Sequence, residues 1–348
     1  MAGNSSYDGA AAGLVPDDVT AGLVHPHWLK YPPVSAEFTL AAGTVLSMSI
    51  VLSVLGNGAI ILIFLRSPVL KTPANALLVN LSLCNIISSV AVSMDEATGL
   101  AGRWQFGIPG CFAYACVVGA ASLSSINTMA AVALERYRVI VRSSQMKRKG
   151  KGWVHMVVLL SLVWVNSIVW VIAPIFGWGN YVLEGHGLSC TFDYLTRTNE
   201  NRSFVMCLFC FGFLLPLIVI LVTNASILCF VRRSRLNLGS LGRASRKRRI
   251  AKSKLGAELR IVKMIMVEVA VYCAAWVPYA TVSLLGVFGN ESLLTPLTVG
   301  IPSIAAKASP LFTPFVYTKY HGAFQKELRR KYVKKRSRRK LHSCRFSF

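Results

Sequence analysis

Lys307 is the side chain in this sequence with the clearest chemistry. It stands in Ala305-Ala306-Lys307-Ala308-Ser309, inside an apolar run at 294–318. An ionisable group inside such a run is costly and by default marks a functional site. Desolvation favours an uncharged amine, and an uncharged lysine is a good nucleophile toward an aldehyde. The product is a Schiff base, and a protonated Schiff base needs a carboxylate nearby. The same lysine would also suit a plain ion pair with a membrane acid, and Lys307 alone does not separate the two.

The run that carries Lys307 is one of seven. A membrane-crossing helix needs about 20 mostly apolar residues, and such runs are predicted at 38–65, 74–100, 108–134, 153–175, 203–231, 260–288 and 294–318. The third and seventh are rich in Ser, Ala and Thr, which suits close helix packing inside a bundle. Of the 348 residues only 15% are charged, against about 25% in a typical soluble chain, so lipid is the expected solvent for much of the protein. The fold class is therefore an all-α membrane protein. It is a seven-transmembrane helix bundle with a short amphipathic eighth helix. That last helix is expected at His321–Tyr332, where Phe324 and Leu328 fall four apart among basic residues and suit the inner leaflet.

A net charge of +24 would fit a nucleic-acid binder, but the basic residues sit in short stretches between apolar runs. No soluble domain remains to bind nucleic acid, and the pattern is that of loops beside anionic lipid. With the N-terminus outside, 33 of the 38 Lys and Arg residues lie at inner segments and helix ends. Lys30, Arg103, Arg197 and Arg202 lie outside, and Lys307 lies within a span. The excess of inner basic residues fixes this orientation. Residues 1–37 then form an extracellular tail, 38–319 the seven-helix domain, 320–332 the amphipathic helix and 333–348 a basic cytoplasmic tail. Met1–Lys30 has no basic segment leading into an apolar core, so no cleavable leader is expected.

The nine cysteines are scattered, most of them inside apolar runs, and no metal site is expected. Cys111 and Cys190 fall at or beyond the ends of apolar runs, both on the oxidising side, so a disulfide between them is allowed. Three glycosylation sequons face outward, at Asn4, Asn201 and Asn290, and Asn4 is the preferred acceptor because it sits on a free tail. Cys344 is a candidate for lipidation.

Over roughly residues 38–330 the chain resembles the rhodopsin-like receptors, and within them the opsins of non-vertebrate-visual type. The receptor motifs stand in order: Gly56-Asn57, Glu135-Arg136-Tyr137, Trp164, Pro216 and Trp276-Val277-Pro278-Tyr279. The opsin likeness is narrower. Lys307 lies ten residues before Tyr317, and the loop Gly177-Trp178…Tyr181…Glu184-Gly185…Ser189-Cys190…Asp193-Tyr194 matches the opsin retinal plug in spacing and type.

The resemblance implies a light-sensing G-protein-coupled receptor, not an enzyme, in the plasma membrane, holding retinal on Lys307. The retinal would be 11-cis in the dark and all-trans after light. Tyr114, Ser189, Trp276 and Tyr279 would line the pocket. Tyr114 stands where vertebrate visual opsins carry their counterion, so the charge must come from elsewhere. Glu184 matches the loop counterion of many invertebrate opsins, and Glu96 resembles the position used in some jellyfish opsins. The two are expected to act as a pair with Glu96 slightly ahead. Asp95 is set about 100° away from Glu96 round its helix and cannot share that direction.

The implied partners are a heterotrimeric G protein, arrestin, a receptor kinase and membrane lipid; a dimer is left open. Coupling would involve Glu135, Arg136 and Tyr137, with Glu258 pairing Arg136 in the dark. Four positions depart from the family: Asn85 for aspartate, Thr313 for asparagine, Asn224 for tyrosine, and the lone acid Glu268 for an apolar residue. Glu268 is expected to hydrogen bond near Asn85, Thr313 or Tyr317, or else to snorkel to the inner face. The rival functions are a retinal photoisomerase and a chemoreceptor without chromophore.

Overall fold

The computed structural model describes residues 20, 22–142, 152–239, 246–322 and 324–330. Asn4 and Cys344 lie outside these residues. The first four spans are α1 (Ala36–Arg66), α2 (Pro73–Ala101), α3 (Gly107–Val141) and α4 (Gly152–Ile172). Ser35 caps α1 by accepting from the Phe38 backbone N–H, and Thr72 caps α2 by accepting from Asn75. Pro73 follows that cap at the first helical position, where its missing N–H has no intrahelical partner to lose. Gly102, at φ 72°, ends α2 in the left-handed conformation that glycine tolerates.

Two short strands follow, β1 (Tyr181–Leu183) and β2 (Cys190–Phe192), paired antiparallel with Leu183 opposite Cys190. The fifth span is α5 (Asn199–Cys207), a widened π-helical turn at Leu208–Leu214, and α6 (Leu215–Gly239). The sixth is α7 (Arg246–Val287), which contains Pro278. The seventh is α8 (Pro296–Ala308), a tight 3-10 turn at Ser309–Phe312, and α9 (Thr313–Tyr320). Residues 324–330 are helical.

Among the described residues six helices are long and apolar enough to cross a membrane. The seventh expected run is present but broken. Pro310 has no N–H to continue the ladder, so the helix tightens there and resumes at Thr313. α3 and α7 run past the apolar stretches that predict them, α3 to Val141 and α7 from Arg246.

Apolar side chains face both ways. Leu40, Val157, Leu221 and Phe288 are exposed on the rim, where lipid would cover them, while α4 buries only Met156, Val163, Ser167 and Val171. The inner half of the bundle holds the main core, with Leu77, Leu81, Ile126, Met264, Tyr317 and Phe324 among its members. Between the helices, polar side chains satisfy one another as lipid-free interiors require. Asn57 donates to the Pro310 carbonyl at 3.2 Å, taking up a group near the break in the seventh span. Asn85 donates to Asn57 Oδ1 at 3.2 Å and to Thr313 Oγ1 at 2.8 Å. Asn80 is held between Thr128 and the Trp164 indole N–H, at 2.8 and 2.9 Å, which ties α2 to α3 and α4.

α1 meets α9 at Gly56. A Cβ placed on Gly56 would lie 2.5 Å from Pro314 Cγ, and a proline ring cannot swing aside. Gly56→Ala is therefore expected to destabilise the protein by about 1–3 kcal/mol, the usual cost of overpacking. Thermal unfolding of the purified protein in detergent measures this, and an unchanged midpoint would mean the seventh span yields at Pro314.

Candidate functional site

Lys307 sits in the last turn of α8, and its side chain turns into the bundle. Its Nζ lies 3.0 Å from Asp95 Oδ2 on α2, 3.3 Å from Glu184 Oε2 in the β1–β2 connection, and 2.5 Å from Ser189 Oγ. The Tyr114 ring centroid is 5.8 Å away. Asp95 and Glu184 are 3% and 1% exposed, so these are contacts in a low-dielectric interior and not solvated surface pairs.

Glu184 is the hub of the cluster. Besides Lys307, its Oε2 accepts from His186 Nε2 at 2.8 Å, Ser189 Oγ at 2.8 Å and Ser303 Oγ at 2.7 Å. Burial alone would raise its pKa. The Lys307 charge and the His186 hydrogen bond outweigh burial and hold Glu184 well below the usual carboxylate range.

The expected lead of Glu96 is corrected by the geometry. Glu96 turns to α1, where its Oε2 accepts from Ser47 at 2.9 Å. Asp95, one residue earlier, faces Lys307 instead. Neighbours on a helix point about 100° apart, and the inward face of α2 runs through Asn85, Ser88, Val92 and Asp95 at spacings of three and four. That spacing was readable in the sequence. His186 and Ser303 also escaped the sequence reading. Ser303 lies four residues before Lys307, one turn away on the same face, whereas nothing local marks His186.

From Lys307 a cavity runs beneath the hairpin toward the fifth span. Tyr114, Phe192, Phe209, Phe213, Trp276 and Tyr279 give it an aromatic wall. Trp276 stacks on Tyr272 at 5.5 Å and meets Tyr279 edge-on at 6.3 Å. The Tyr279 hydroxyl is 2.5 Å from Thr191 Oγ1, which joins the sixth span to β2. The roof is fixed at three places. The Cys111–Cys190 disulfide ties β2 to α3. The Leu183 N–H donates to the Leu23 carbonyl at 2.8 Å. Trp28 lies over Gly185 so closely that a Cβ there would be 2.7 Å from the indole.

At the inner end Arg136 NH1 lies 2.6 Å from Glu258 Oε2, linking α3 to α7 as expected. Glu135 is turned away from Arg136. Its Oε1 is 2.8 Å from Arg138 NH1 and 2.7 Å from His155 Nε2 on α4. Tyr137 borders a small cluster of Ile140, Ile227, Val231 and Val262. Glu268 does not snorkel, being 6% exposed. It accepts from Thr313, which in turn accepts from Asn85. Tyr317 takes no part, donating to the Leu78 carbonyl at 3.1 Å. Asn224 bonds within its own helix, to the Ile220 carbonyl at 2.8 Å.

Of the outward sequons, Asn201 is 6% exposed and donates to Asp193 Oδ2 at 3.1 Å, which closes it to a glycan, while Asn290 is exposed.

The profile of the seven-transmembrane receptors of the rhodopsin family matches residues 56–317. The chain is 36% identical over 312 residues to the protein named "Rhodopsin, GQ-coupled" of Mizuhopecten yessoensis, across 88% of this chain and 62% of that protein, less than two thirds of its length. It is 32% identical over 309 residues to the rhodopsin of Enteroctopus dofleini, across 88% and 68%. The match to Mus musculus melanopsin is 33% over 303 residues, across 86% and 58%. The crystal structure of squid rhodopsin superposes with a TM-score of 0.84 at 30% identity, covering 91% of each chain. An amine at the end of an aromatic cavity, inside a bundle of this shape and ancestry, makes the chain a multi-pass membrane protein of the rhodopsin family and, within that family, an opsin.

Proposed function

We propose that the chain is a light-sensing receptor that holds retinal covalently on Lys307 and signals to a heterotrimeric G protein at its inner face. One observation carries this reading: the amine of a membrane helix opens into an aromatic-walled cavity and is met there by two buried carboxyls. The residues fit the group. The wall is apolar along its length, the polar atoms gather at the lysine end, and the roof excludes water. When bound, retinal supplies an aldehyde for the Lys307 amine and a double bond that light isomerises, from 11-cis to all-trans.

The chain's own residues do the rest. Asp95 and Glu184 stabilise positive charge on the Lys307 nitrogen, and Ser189 and Ser303 orient Glu184. Trp276 and Tyr279, on the Pro278-bearing stretch of α7, take up a change of shape in the cavity. The inner half of α7 is held by Arg136–Glu258 and by Thr313–Glu268, and its outward displacement would open a cleft beside Arg136. Light shifts this equilibrium only by the difference in free energy it makes between the two states. The printed name of the Mizuhopecten protein favours the Gq class of partner. Arrestin and a receptor kinase are the further partners, and the charge asymmetry supports a plasma-membrane receptor with residues 1–37 outside and 333–348 inside. A photoisomerase without signalling would have no use for the Arg136–Glu258 pair.

Four outcomes are expected. With 11-cis retinal supplied, Lys307→Ala gives no visible absorption band, and ordinary colour in that variant would end the proposal. Glu184→Gln lowers, by about one pH unit or more, the pH at which the band is lost, since removing an anion destabilises the neighbouring cation. Glu96→Gln leaves that pH unchanged. Glu258→Gln raises dark nucleotide exchange about fivefold, corresponding to ~1 kcal/mol for a partly exposed pair. A light-dependent exchange assay on purified G protein measures it.

A further inference from the structure

Two carboxyls and one basic nitrogen share the end of the cavity. One positive charge balances one carboxylate. A second ionised carboxyl in the same buried place would be uncompensated, so one of the two keeps its proton. Which one is decided by hydrogen bonds, and His186 holds the deciding position.

The His186 ring is gripped on both nitrogens. Nδ1 accepts from the Leu188 backbone N–H at 3.2 Å, and so carries the lone pair. Nε2 therefore carries the hydrogen, and it points at Glu184 Oε2 from 2.8 Å. The hairpin enforces this arrangement. The Gly187 N–H donates to the Glu184 carbonyl at 2.7 Å, with Gly187 at φ 72°, so the chain turns back at once and brings Leu188 under the ring. On its other side the ring lies against α8: a Cβ on Gly300 would be 3.2 Å from His186 Cδ2. His186 is 5% exposed and has no room for another tautomer that keeps both bonds.

Glu184 Oε2 thus receives donors from His186, Ser189 and Ser303 in addition to Lys307. Asp95 Oδ2 receives Lys307, and the Tyr114 hydroxyl beside the carboxyl is the other donor within its reach, though neither it nor Asp95 Oδ1 makes a hydrogen bond of ordinary geometry. Donors to a carboxylate favour its charged form. We propose that His186 is a positioning residue that fixes Glu184 as the ionised partner of the Lys307 nitrogen and leaves the remaining proton on Asp95.

This inference rests on the retinal reading above, and its test separates the two. The pigment is formed with 11-cis retinal, and its dark-minus-light infrared spectrum is recorded in the region of protonated carboxyl groups. In the native pigment a protonated-carboxyl band is expected that Asp95→Asn removes and Glu184→Gln does not. In His186→Leu the proton moves: the band becomes sensitive to Glu184→Gln and insensitive to Asp95→Asn, and the visible band is lost at a pH lower by about one unit. His186→Gln, whose side-chain amide presents a donor where Nε2 stands, restores the native pattern.

A native band removed by Glu184→Gln overturns the proposal without any His186 variant, which covers the case in which those variants fail to fold. His186→Leu with the native band pattern and native pH behaviour also overturns it. Absence of colour in the native protein itself would instead overturn the retinal reading.

Discussion

The contacts of the Lys307 nitrogen with Asp95 and Glu184, at 3.0 and 3.3 Å, are made where solvent is excluded. In water such contacts are worth little. In the interior, a charge without its partner is expensive enough to dictate what surrounds it. The acids arrive from different directions, Asp95 from a membrane helix and Glu184 from the β1–β2 connection. The connection can reach the bundle only if it folds inward and stays there, and the β1–β2 hairpin, the disulfide to α3 and the Trp28 cover all serve that placement. The roof is therefore part of the charge site as well as a barrier to water.

The inner half follows the same logic with different residues. Asn85 takes the place where the family usually has an aspartate, and a carboxyl appears instead on α7, as Glu268. A chain of bonds runs from Asn57 through Asn85 and Thr313 to Glu268, crossing four spans. The Thr313–Glu268 bond joins the sixth span to the seventh just below the tight turn. Any outward displacement of α7 must break that bond or draw α9 with it. Arg136–Glu258 restrains the same helix at its inner end. Glu135 adds nothing to that restraint because Arg138 and His155 hold it elsewhere.

The features legible in the sequence were those with local or periodic signals. Seven apolar runs mark the spans. The lysine stood out because charge is rare in such a run. Cys111, Cys190 and Glu184 were found through their place in a loop of recognisable spacing. Asp95 is marked by the phase of α2 with Asn85, Ser88 and Val92, a periodic signal that points away from Glu96 despite its likeness to another opsin position. His186 was not found at all, since its role depends on a turn at Gly187 and on a helix more than a hundred residues away. The same holds for His155, whose partner Glu135 lies on a different helix with no pattern connecting them. The break in the seventh span was signalled by Pro310 and Pro314 but hidden by continuous hydropathy.

The wide turn at Leu208–Leu214 sets the rotational phase of everything below it in the fifth span. A turn of this kind holds an extra residue compared with an α-turn, and each residue advances the helix by about 100°. Above it, Phe204 and Val205 line the cavity; below it, Ile220, Asn224 and Ile227 are buried against the other helices. An ordinary α-turn in the same place would leave the upper half where it is and spin the lower half by more than a quarter of a revolution. Ile220, Asn224 and Ile227 would then face hydrocarbon, and the exposed Val222 and Phe230 would turn toward the interior. The irregular turn is the joint that lets one helix present two unrelated faces, one to the aromatic cavity and one to the packed core at the other end of the bundle.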